Sequence, residues 1–293
     1  MLSGGDAVAS ARPTGLGETL SLVPRRLLPG VSADATTTTL ETLANQLTSL
    51  RSGTKFDVYA SYLRWANDAA QQLAQLVSDG DVTRLVLSPR HWAPVTIDPA
   101  ANEALMSLVQ LEIDQVRRRL EAARVELGEA VARWAGHQGQ LVVADTNVYL
   151  HHRDEFVDID WHAPLDLRSD GQVNLVLPLL VVDELDRHKR SQQRARAGNA
   201  LRHVNELFSD PGSTVTLAPG PDKPVRMHLL LDRPGHVRLA DADAELIDRC
   251  RALRAVAGRD VALVTFDTGI VLRTRAAGVT SCRLKDDAGP SGI

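Results

Sequence analysis

The chain has little cysteine: two residues, Cys250 and Cys282, in 293. They have neither metal-site spacing nor disulfide density, so they read as small buried hydrophobes in a reducing compartment. Aromatic residues make up only 4% of the chain, which excludes an extensive base-stacking platform. No apolar run approaches the length of about 20 residues that crosses a bilayer, so no membrane partner is expected. The first 30 residues carry Asp6 and Glu18 and no signal-peptide core, and a cytoplasmic protein is the expectation. There is no excess of basic charge. With a net charge of -4, any attraction to nucleic acid must come from a local patch. No internal repeat is present. What remains, 44% hydrophobic and 24% charged residues, is the composition of a folded chain with one large domain or two ordinary ones.

Residues 1–33, rich in Gly, Pro, Ser and Ala, read as a flexible arm with a short apolar piece at Leu20–Leu28. Residues 34–137 read as a mainly helical domain. After Thr36–Thr39 a helical run is expected to about Leu50, and another helix over Phe56–Ser78, whose Phe56, Tyr59, Leu63, Ala66, Ala70, Leu73 and Val77 share one face. A short strand is expected at Val82–Leu87 and a loop at Pro89–Pro99, interrupted by three prolines. A long helix follows at Asn102–Ala135. Its stripe of Leu105, Val109, Ile113, Val116, Leu120, Ala123, Leu127, Val131 and Trp134 is close to a heptad seam, so it serves either this chain's own core or a homodimer. Composition changes at Gly136–Gln140. Over residues 139–284 strand-like and helix-like segments alternate, which implies a mostly parallel sheet covered on both faces. Pro211–Pro224 reads as loop, and 285–293 as a flexible tail.

Within 139–284, carboxylates stand at privileged places. Asp145 follows the apolar run Leu141–Ala144, as if a buried strand delivered an acid to the end of a sheet, where ligand sites of open α/β folds lie. Glu184 lies early in the helix after Pro178. Asp241 and Asp243 open another helix. Asp267 follows the strand Val261–Phe266. Brought together, such acids suit magnesium, which takes hard oxygen ligands. Each alone has a plain reading. Asp241 and Asp267 are good helix N-caps. Asp183, Asp186 and Glu245 read as solvated helix charges. Thr146 and Asn147 suit local turn bonds. Thr265, two residues before Asp267, is either an ordinary strand residue or a helper that orients a carboxylate or phosphate. Asp145 has the weakest plain reading, because an acid after a buried strand needs a partner. A basic stretch follows Glu184: Arg187, His188, Lys189, Arg190, Arg194, Arg196 and Arg202. It is either a solvated helix surface or a phosphate-holding patch that gives salt-sensitive affinity.

The runs VADTNVYL, VVDELDRHKR, DADAELIDRC and VTFDTGIVLRTRAAGV resemble, in that order, the motifs of PIN-domain nucleases. They are most like the PIN modules joined to PhoH-type ATPases. The resemblance covers 139–284 and implies a three-layer α/β/α fold with Mg²⁺- or Mn²⁺-dependent cleavage of RNA, single-stranded and internal. It carries the family's acids onto Asp145, Glu184, Asp243 and Asp267 as metal ligands around a metal-activated water, with Asn147, Asp241 and Thr265 as auxiliaries. Arg187, Lys189, Arg190, Arg194 and Arg196 would hold the nucleic acid. The alternative is a catalytically inactive PIN-like module that binds RNA or protein, with residues 34–137 as a partner-binding part. A haloacid-dehalogenase-type phosphatase also begins with an Asp after a strand, but it needs a second Asp two residues on, where this chain has Asn147.

Overall fold

The computed structural model describes residues 27–50, 55–92, 102–165, 171–190, 192–217, 225–232 and 236–285. The N-terminal arm up to residue 26 and the tail from 286 lie outside them, as does most of the loop expected at Pro89–Pro99.

The helical region comprises α1 (Ala33–Ser49), α2 (Lys55–Ala74), α3 (Asp79–Leu85), α4 (Pro89–Trp92) and α5 (Asn102–Ala135). Ser32 caps α1, its side chain accepting from the Asp34 and Ala35 amides. This satisfies donors that a helix start leaves unpaired. The buried stripe Thr36, Leu40, Leu43 and Leu47 of α1 packs on α5. Each fully buried leucine there contributes about 1.5–3 kcal/mol. Leu105 to Leu127 of the α5 stripe belong to this helical core, so that part of the seam is used within the chain. Trp134, at the end of the same helix, belongs to the core around the sheet. One rigid element is thus anchored in both cores.

Where a strand was expected at Val82–Leu87, Val82–Leu85 is helix and Val86 its C-cap. Ser78 caps α3 by accepting from Asp81 N–H, and Val82, Leu85 and Val86 are buried at helical spacing. Pro89 opens the short α4, a first-turn position where its missing N–H costs nothing.

The sheet region contains β1 (Gln140–Ala144), α6 (Thr146–His151), β2 (Val173–Pro178), α7 (Leu179–His188), α8 (Arg194–Leu207), β3 (Thr214–Leu217), β4 (Val225–Leu230), α9 (Ala242–Ala257), β5 (Val261–Thr265), α10 (Thr268–Ala276) and β6 (Thr280–Arg283). β3 lies inside the span expected to be loop. Its four residues, TVTL, form an antiparallel edge strand on β4. The six-stranded sheet has the order β3-β4-β2-β1-β5-β6, and every other pairing is parallel. Helices α6, α7 and α8 pack on one another, and α9 packs with α10 and α5. The region is a PIN-like α/β/α fold preceded by a helical region. β1, β2 and β5 are buried almost throughout, which is why they read as continuous apolar runs.

From β1 the chain moves outward to β2 and β4, then returns to lay β5 on the other side of β1. Connections leave β1 and β5 in opposite directions. The crevice outside their carboxyl ends is the topological switch point where such sheets bind ligands. Among the described residues no helix is long and apolar enough to cross a membrane.

Candidate active site

The register places Ala144 beside Val264, so Asp145 and Thr265 emerge side by side at the switch point. Asp145 N–H donates to the Val264 carbonyl at 2.9 Å, which fixes the acid's backbone. Its side chain is 4% exposed and does not cap α6; instead Asp145 Oδ2 accepts from Thr265 Oγ1 at 3.0 Å. Thr265 Oγ1 in turn accepts from Asp267 N–H at 3.0 Å. One buried hydroxyl therefore links the carboxylate after β1 to the backbone of the acid after β5. Thr265 is both a buried strand residue and a hydrogen-bond donor to a carboxylate.

Burial pushes the Asp145 carboxyl up from its ordinary value. The Thr265 hydrogen bond opposes this, the negative charge of Asp243 reinforces it, the Thr146 backbone opposes it, and Glu184 reinforces it last. The charges of Asp243 and Glu184 are thus near enough to act on Asp145. Glu184, half-buried on α7, accepts a short hydrogen bond from Thr146 Oγ1. Thr146, with a local turn role expected, reaches instead across 38 residues of sequence to hold a glutamate. Asp243 lies in the first turn of α9, and its Oδ2 is 2.5 Å from Arg273 Nη2 on α10.

Asp267 is exposed and caps α10, with Oδ1 accepting from the Gly269 and Ile270 amides at 2.5 and 3.1 Å. Asp241 caps α9 through Ala244 N–H at 2.9 Å, the plain reading of that residue. Asn147 is half-buried in the first turn of α6. Tyr149 and Trp161 belong to the core.

The donor oxygens are of the hard type that magnesium and manganese accept. Among the described residues, however, no three acidic, histidine or cysteine groups are arranged to hold an ion. All four acids already have partners: Asp145 has Thr265, Glu184 has Thr146, Asp243 has Arg273, and Asp267 has the amides of α10. The oxygen chemistry of Asp145, Glu184 and Asp243 is of the kind that fits such a metal.

Glu245 differs from its sequence reading as a solvated charge: it is fully buried. Its carboxylate accepts from Leu239 N–H at 2.9 Å, His236 Nε2 at 2.7 Å and Arg249 Nε at 2.8 Å. Burial would raise its pKa, but these partners outweigh it and hold the carboxyl below the ordinary glutamate value. The network continues from Arg249 to Asp232 at 2.6 Å, from Asp232 to Arg238 at 2.6 Å, and from Arg238 to Asp183 at 2.7 Å. Asp183 keeps 44% side-chain exposure, as a solvated charge does, while pairing with Arg238. The network ties the segment leading into α9, which carries Asp243, to α7 at the residue preceding Glu184. Glu245→Gln is expected to cost about 2 kcal/mol of stability, the scale of a buried hydrogen bond to a charged group. Urea unfolding checks the cost.

The basic stretch is divided in its uses. Arg187, Arg190 and Arg194 are exposed at the end of α7 and the start of α8. Lys189 pairs with Asp186 at 2.8 Å. Arg196 donates to the carbonyls of Arg153 and Asp154 at 2.6 and 3.3 Å, so its guanidinium fastens the chain after α6 onto α8.

Residues 142–285 match the model of the family described as PIN domain. This match supports placing the carboxy-terminal region in the PIN-domain family. A solved structure described as a domain of a functionally unknown protein from Methanocaldococcus jannaschii is similar over 53% of this chain and 97% of its own, with 14% sequence identity and a TM-score of 0.33. A comparison with curated proteins returns no match.

Proposed function

We propose that the protein is a metal-dependent ribonuclease that hydrolyses internal phosphodiester bonds of single-stranded RNA. The observation that carries this reading is that, at the switch point, Thr265 joins the buried Asp145 to the Asp267 backbone while Thr146, next in the chain, holds Glu184. A cluster of like charges around a buried carboxylate is costly unless a cation offsets it, and perturbed acids in such a place mark functional sites. The PIN-domain match and the order of the four acidic motifs agree with it, and those motifs are most like the modules joined to PhoH-type ATPases.

Asp145, Glu184 and Asp243 would hold Mg²⁺ or Mn²⁺, joined by the second oxygen of Asp267. A divalent ion held there supplies a Lewis acid that lowers the pKa of a water and offsets charge on the phosphodiester. The protein's own part is positioning. Thr265 fixes the Asp145 carboxylate, Thr146 fixes Glu184, and the exposed Arg187, Arg190 and Arg194 hold flanking phosphates. Hydrolysis forms a bond from water oxygen to phosphorus and releases the ester oxygen, so no side chain is needed as a covalent nucleophile.

Incubation of the full chain with single-stranded RNA and Mn²⁺, against a chelated control, tests the proposal. Metal-dependent cleavage is expected. RNA binding without cleavage in either condition would favour the non-catalytic module instead.

A further inference from the structure

Arg273 has no place in the ligand set, yet it makes the one side-chain ion pair that the described residues show for any of the four acids. Its Nη2 lies 2.5 Å from Asp243 Oδ2, with the two side chains 49% and 38% exposed. The pair joins the first turn of α9 to the last turn of α10, the helices that precede and follow β5. Three further observations make it more than a surface contact. Asp243 is one of the charges acting on buried Asp145, so Arg273 neutralises part of the cluster that a cation is expected to fill. α10 is the helix that Asp267 caps, so Arg273 is carried on the same rigid element as the fourth acid. And the α9 end of the pair is held by the buried Glu245 network, which fixes where Asp243 stands.

We infer that Arg273 is an internal counter-ion that competes with the divalent ion for Asp243 and, once displaced, engages a phosphate of the RNA. This inference rests on the ribonuclease reading. An exposed ion pair is weak, so a divalent ion can displace it, but the guanidinium must be displaced and its charge also repels the incoming ion. A displaced guanidinium at the mouth of the site has a planar fork of donors suited to phosphate, and lysine lacks that fork. Arg273 is on this account a positioning residue for both metal and substrate.

The full-length protein, Arg273→Gln and Arg273→Lys are compared in three measurements: Mn²⁺ titration calorimetry without RNA, the KM for single-stranded RNA at saturating Mn²⁺, and thermal melting. Arg273→Gln is expected to bind Mn²⁺ about 3- to 10-fold more tightly, since removing one nearby cation spares both competition and repulsion. Its KM is expected to rise several-fold while kcat changes little. Arg273→Lys should fall near wild type for Mn²⁺ and near Arg273→Gln for RNA. The opposite signs are diagnostic, because a merely structural arginine would weaken both. Mn²⁺ affinity that is unchanged or weaker in Arg273→Gln, with the melting temperature retained, overturns the competition, and an unchanged KM overturns the transfer to phosphate. If wild type itself binds no Mn²⁺, the ribonuclease reading fails and this inference fails with it, which is distinct from wild-type binding that Arg273→Gln leaves unaltered.

Discussion

Asp145→Asn is expected to reduce metal-dependent RNA cleavage by about 10³-fold, the scale at which loss of a central electrostatic partner of a transition state is felt. The fold should survive, because Asn keeps the shape of the side chain, its oxygen can still accept from Thr265 Oγ1, and the Asp145 N–H bond to Val264 is unaffected. The substitution is also expected to stabilise the metal-free protein. Asp145 is buried and its pKa is raised on folding, so the native state holds its proton more tightly than the unfolded chain does. Stability contributed at this position is therefore greatest below the unfolded carboxyl value of about 3.9 and is lost as pH rises through the higher folded value. At neutral pH the wild type bears this cost and Asp145→Asn does not. Melting curves without metal should show the variant more stable at pH 7 and the gap closing on acidification. Saturating Mn²⁺ should stabilise only the wild type. A variant that loses activity and stability together would make Asp145 a structural acid.

Gly139→Ala is expected to destabilise the chain by about 3 kcal/mol or more, the range of strain at a special backbone conformation. Gly139 has φ +96°, and a Cβ built on it would lie 2.1 Å from the Gln172 carbonyl oxygen. That oxygen cannot withdraw, because it accepts from Gln140 N–H at 2.9 Å and so sets the start of the β1–β2 ladder. Asn174, fully buried on β2, donates to the Gln138 carbonyl at 2.6 Å beside it. The close approach occurs where α5 hands the chain to β1. An error here shifts β1, and with it Asp145 at the strand's other end. Urea unfolding gives the cost directly, and a loss below about 0.5 kcal/mol, the level of an ordinary surface change, would show that the backbone relaxes freely.

Much of this architecture was legible in the chain. The helix over Asn102–Ala135 was readable because its stripe persists over many turns, and β1, β2 and β5 because parallel strands buried on both faces leave continuous apolar runs. Periodicity misled at Val82–Leu87, where β-branched residues resemble a strand but the Ser78 cap and the packing of Val82, Leu85 and Val86 impose a helix. β3 was hidden because four residues at a sheet edge, two of them exposed, carry no lasting pattern. At the site, the acids that follow strands could be found by position alone. Thr146, Glu245 and Arg273 could not, since what distinguishes each is a partner from another element: Glu184 for Thr146, His236 and Leu239 for Glu245, Asp243 for Arg273. A charged residue at a helix start looks alike in sequence whether it is an exposed cap, as Asp241 is, or sealed in a network, as Glu245 is.

The most direct test of the ribonuclease account is anomalous diffraction from crystals of the full chain soaked in Mn²⁺. The account predicts a manganese peak at the switch point, bound by oxygens of Asp145, Glu184 and Asp243, with Asp267 turned toward it and Arg273 moved off Asp243. Crystals that stay free of manganese there at saturating concentration, with Arg273 still seated on Asp243, would contradict it.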